Sequence, residues 1–122
     1  MIKVLEGFPE SVLALAAEGQ VTRRDYEDIL IPRLDALLRR HGRIRVYYEL
    51  GAAFAGIDAE AVWEDLKIGF EHLSCWEKMA VVTDVRWIRL ALHAFRFLMP
   101  GELRVFDTRH AAEARTWVKT DP

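Results

Sequence analysis

The stretch EKMAVVTD, residues 77–84, constrains this chain more than any other. Its apolar run has no polar side, and a strand of that kind must be covered on both faces, as an interior strand of a parallel sheet is. Segments of helical period flank it. A chain that passes from strand to helix and back to strand needs right-handed crossovers and mostly parallel pairing. The remaining apolar runs fit the same scheme. MIKVL (1–5) and VLALAAEG (12–19) read as strands joined by the short break EGFPES, which predicts an antiparallel pair. RIRVYYEL (43–50) and ELRVFD (102–107) supply the third and fifth strands. The expected order is ββαβαβαβα: an α/β fold with a mixed sheet of about five strands, helices packed on it, and a single domain over 1–122.

The helices have readable ends. Thr22 with Asp25 three residues on forms a capping-box variant, and Gly42 stops the first helix. Pro32 lies inside that helix and should kink or split it, because it removes a ladder bond and crowds the preceding turn. GAAFAG (51–56) reads as a small-residue loop carrying Phe54. Asp58 is placed to cap the second helix, whose expected core stripe is Val62, Trp63, Leu66, Phe70 and Leu73, with Gly69 beside it. Trp63→Ala should on that reading cost about 3–5 kcal/mol. The closing helix, RHAAEARTWV, turns Ala111, Ala114, Trp117 and Val118 inward.

The third helical segment, RWIRLALHAFRFLM (86–99), is different. At about 100° per residue, Arg86, Arg89, His93 and Arg96 crowd into an arc of roughly 80°, and apolar residues fill about 220° of the rest. A core stripe needs little more than about 100°. One or both of two candidate flanks, Leu90–Phe97 and Leu92–Met99, are therefore expected to carry apolar surface beyond what the sheet covers. A narrow basic stripe beside such a flank is what an interfacial helix uses.

Composition narrows the function. A net charge of −2 argues against nucleic acid as partner. The single Cys75 excludes an internal disulfide and a cysteine-based zinc cluster, and fits a reducing compartment. No signal-peptide pattern and no long apolar run occurs, so the expected location is cytoplasmic, with at most peripheral membrane contact. His41, His72, His93 and His110 lack metal-ligand spacing; Asp65 and His72 can share a helix face as a solvated pair. Glu49, Asp84 and Asp107 fall where three parallel strands are expected to end. Carboxylates there can hold Mg²⁺ or move protons, but Asp84 and Asp107 also suit helix N-caps, which is the preferred reading. Arg43 and Arg45 are expected to solvate the opposite edge. No catalytic constellation survives, so no enzymatic activity and no cofactor is expected.

The wording AVWEDLKIGFEHLSCWEKMAVVTDVRWIR, with DYEDILIPRLDALL before it and ELRVFDTRHAAEARTWV after it, resembles the SpoIIAA-like family, a branch related to STAS domains. The resemblance runs from the first strand to Trp117 and implies a mixed sheet with helices packed on it. It also implies a structural likeness to CRAL-TRIO lipid-binding domains. STAS anti-sigma-factor antagonists carry a phosphorylatable serine after the third strand; here that place reads GAAFAGID and has no hydroxyl, so that switch is not carried over. Two readings remain. The first is a binding module for an apolar small molecule or lipid, with Phe54, Trp87, Leu90, Ala94 and Phe97 lining an apolar site near the strand ends and touching a membrane. The second is a STAS-like regulatory module that docks a protein partner. A homodimer is the expected cover for any surplus apolar face.

Overall fold

The computed structural model describes residues 1–71, 73–98 and 101–120, apart from the side chains at 65, 66, 68–70, 73 and 98. Five strands form one sheet in the order β1-β2-β3-β4-β5: β1 Ile2–Val4, β2 Leu13–Val21, β3 Ile44–Ile57, β4 Trp76–Thr83 and β5 Glu102–Phe106. β1 runs antiparallel to β2, and every other neighbouring pair is parallel. β4 lies between β3 and β5, as its two-sided apolar run requires.

Strand periodicity sorts side chains into two cores. Val46, Tyr48 and Leu50 of β3, Leu15 of β2 and Val81 of β4 face one side, against Leu30, Leu34, Leu37 and Ile88 from the helices. Tyr47, Ala80, Val82 and Phe106 face the other side, against Ala114 and Val118 of α5 (Ala111–Lys119).

The first helical stretch begins with the expected capping box. The Thr22 amide donates to the Asp25 carboxylate at 2.8 Å, and the Asp25 amide donates back to Thr22 Oγ1. It then divides into α1 (Arg23–Asp25), a π turn (Tyr26–Leu30) and α2 (Ile31–His41). The Ile31 amide reaches five residues back to the Tyr26 carbonyl, and Pro32 falls in the first turn of α2, where its missing N–H costs least. Pro32 thus splits the helix by widening one turn. Gly42 ends α2 in the left-handed conformation.

Four expectations need correction. GAAFAG is not a loop: β3 continues through it to Ile57, because β2 also runs on past Gly19 to Val21 and pairs Gly19 with Phe54, Gln20 with Gly56 and Val21 with Ile57. Irregular register around Gly19, whose positive φ suits glycine, lets the two strands stay paired. Glu49 therefore lies inside β3, not at its end.

Trp63 of α3 (Ala59–Glu71) is not core: it is 62% exposed, while Ala61 takes the buried position and Val62 is partly buried. The expected core placement of Leu66, Gly69, Phe70 and Leu73 and the Asp65–His72 pairing rest on side chains outside those described, and Met99 lies outside the described residues. Arg45 does not solvate a sheet edge. It is 8% exposed, pairs with Glu77 and donates to the Val118 and Thr120 carbonyls, binding the end of α5. Arg43 stays exposed and donates to the same Glu77.

Candidate functional site

α4 (Arg86–Phe95) and the 3₁₀ turn after it (Arg96–Leu98) carry the residues singled out in the sequence. Ile88 is buried, and Leu92 and Phe95 pack partly buried against the core. That anchoring leaves Trp87 54%, Leu90 62% and Phe97 80% exposed, with Ala94 exposed among them. Spacings of three and four residues put these side chains on one helix face. The Leu90–Phe97 flank is therefore outside the core, whereas Leu92 faces it.

Between α3, α4 and the sheet lies a cavity of about 210 Å³. Its floor is Tyr48 and Leu50 of β3 with Met79 and Val81 of β4. Trp87, Ile88 and Ala91 form the α4 wall; Tyr26 and Val62 stand on the other side, and Trp76 lies at the start of β4. Among the described residues no charged side chain lines it. The Trp76 indole N–H is buried and has no hydrogen-bond partner among the described residues.

Of the five residues expected at the site, Trp87 alone lines this cavity. Phe54 packs partly buried against the same core, on the extended part of β3. Leu90 borders a separate shallow depression with Arg86, Arg89, His93, Asp84 and Asp107. Ala94 and Phe97 lie on the outer face. Tyr26, Tyr48, Val62 and Trp76 were not expected at the site, because each belongs to a different element and reads locally as a core position. The one signal available was phase: Tyr48 lies on the same face of β3 as the core residues Val46 and Leu50, and Ile88 and Phe95 share the inner side of α4. The site also reaches Trp76, near the N-terminal edge of the sheet, and so is not confined to the strand ends.

The three carboxylates do not converge as a catalytic or metal centre. Glu49 accepts from the Tyr47 hydroxyl at 2.7 Å, and burial together with that carboxylate pushes the Tyr47 phenol up to about 12. Asp84 does not cap α4, whose N-cap position is Val85. Its carboxylate instead accepts from the amide and hydroxyl of Thr108, which hold it below the usual carboxylate range. Thr83 Oγ1 accepts the Val85 amide in its place. Asp107 is bound by Arg89 at 2.7 Å, not by a helix amide. Among the described residues no group of three or more His, Cys, Asp or Glu is arranged to hold a metal ion. No helix among them is long and apolar enough to cross a membrane.

The model of a family described as SpoIIAA-like matches residues 12–119. The crystal structure of an uncharacterized protein with a SpoIIAA-like fold from Shewanella loihica PV-4 is similar to it, with a TM-score of 0.70 and 24% identity over 94% of this chain and 92% of that one. That likeness shows the fold. No curated protein matches. The likeness to CRAL-TRIO domains finds no support in these matches.

Proposed function

The chain belongs to the SpoIIAA-like family, and from that premise we propose that it is a binding module that takes an apolar small molecule or a short lipid chain into the cavity between α3, α4 and the sheet. One observation carries the reading: the cavity wall is apolar, and Trp87, more than half exposed, stands both in that wall and on the surface. An unfilled apolar cavity forfeits dispersion contacts, and an apolar guest restores them. At about 210 Å³ the space is smaller than the roughly 300 Å³ at which drug-sized sites begin. It suits one short chain or one ring system. A charged head group would stay outside, since none of the described wall residues compensates a buried charge.

The test is native mass spectrometry of protein purified without detergent, followed by titration with 1-octanol read by tryptophan emission. A co-purifying amphiphile and saturable binding are expected. Ala91→Phe, which fills the mouth from an exposed position, should abolish binding while leaving the fold intact. Absence of any bound molecule, with octanol responses equal in the two proteins, would overturn the reading.

The second reading, a STAS-like module docking a protein, rests on the family's kinship and on the exposure of Leu90 and Phe97. It requires a route of control other than a phosphorylated turn, because residues 51–58 contain no hydroxyl.

A further inference from the structure

The outer face of α4 and the cavity behind it are separate features, and the face has its own chemistry. Trp87, Leu90, Ala94 and Phe97 make a continuous exposed apolar row. Beside it stand Arg86, Arg89, His93 and Arg96, and residues 86–98 contain no Asp or Glu, although the chain as a whole carries −2. Of these four basic residues, Arg89 alone is tied to a carboxylate among the described residues, that of Asp107. The Arg96 guanidinium lies 5.2 Å from the centroid of the Phe97 ring, so charge and apolar surface are presented together.

We infer that this face docks on a membrane surface bearing anionic lipids, with Leu90 and Phe97 entering the acyl boundary and Arg86 and Arg96 meeting the head groups. Charge selects the occupant. A second copy meeting this face about a twofold axis would bring two basic stripes together, which is unfavourable, whereas an anionic bilayer offers opposite charge and apolar depth at once. Aromatic side chains near both ends of the row suit the water–lipid boundary. The mouth of the cavity borders the same face through Trp87 and Ala91, so a guest can enter from the bilayer. That last step rests on the proposed function; the docking itself does not.

The experiment is co-sedimentation with vesicles of phosphatidylcholine alone and of phosphatidylcholine with added phosphatidylglycerol. Wild-type protein should bind the anionic vesicles, more weakly as salt rises. Leu90→Glu with Phe97→Glu, both at exposed positions, should lower affinity by about tenfold or more. Arg86→Gln and Arg96→Gln should each lower it about fivefold on anionic vesicles only. Ala91→Phe should still sediment; loss of octanol binding in that variant with docking retained separates the two proposals. No binding to anionic vesicles, or binding unchanged in the glutamate variant, overturns the inference. So does a stable dimer or a defined protein complex that the glutamate variant disrupts.

Discussion

The Lys78 ammonium donates to the Trp117 carbonyl at 3.1 Å and lies 4.9 Å from the centroid of the same residue's indole ring. One lysine of β4, 3% exposed, thereby holds both the backbone and the side chain of α5's last turn. Arg45 reaches the neighbouring Val118 carbonyl. Two cations at a helix C-terminus satisfy carbonyls that have no partner within the helix and oppose the negative end of its dipole.

Lys78→Met keeps the apolar stem and removes the donor. It should cost about 1–3 kcal/mol, the usual penalty for buried acceptors left unsatisfied. Urea denaturation measures it. A midpoint equal to that of wild type would show that water takes over the carbonyls.

Acid should act through Glu77. Hydrogen bonds from Arg43 and Arg45 hold its carboxyl below its ordinary value of 4.5, against the opposing effect of burial. A lowered value in the folded state means that this contribution is fully present above pH 4.5 and is lost as the pH falls through the folded-state value. Urea midpoints at neutral pH and near pH 3 should differ less for Glu77→Gln than for wild type. Equal differences would place the acid sensitivity at other carboxylates.

Exposure and burial on the cavity side predict opposite outcomes for two aromatics. Trp63→Ala should change stability by no more than about 0.5 kcal/mol, as exposed sites do. Tyr26→Ala, at the start of the π turn and 1% exposed, should cost about 3–5 kcal/mol. Comparable losses at both positions would mean that α3 sits against the sheet in the other phase.

Gly101 precedes β5 against the backbone of Trp76. A β-carbon there would clash with the Trp76 carbonyl oxygen and lie 2.8 Å from its carbonyl carbon, so Gly101→Ala must push two strands apart. The expected loss is about 1–3 kcal/mol. Gly51→Ala, with open space around it, is the control and should shift stability by less than about 1 kcal/mol. Thermal melts of the two variants decide the point, and equal melting temperatures would contradict it.

Local rules were enough to locate the five strands, though not how far β2 and β3 run, and to place the capping box at Thr22, the helix stop at Gly42 and the break at Pro32. Each depends on residues a few positions apart whose steric and hydrogen-bonding limits hold in any fold. The two-sided apolar run at Met79–Val82 likewise announced an interior parallel strand. Pairing decided what local rules could not. GAAFAG has weak preferences of its own and became strand because β2 runs beside it, and Arg45 became buried because the end of α5 supplied carbonyls and β4 supplied Glu77. The width of α4's apolar arc was legible in the sequence. Which part of it faces the core was not, since Ile88, Leu92 and Phe95 turn inward only against a sheet that residues far away in the chain build. The cavity belongs wholly to the tertiary structure, because its walls come from the π turn, two strands and two helices, and a space between elements has no signature in any one of them.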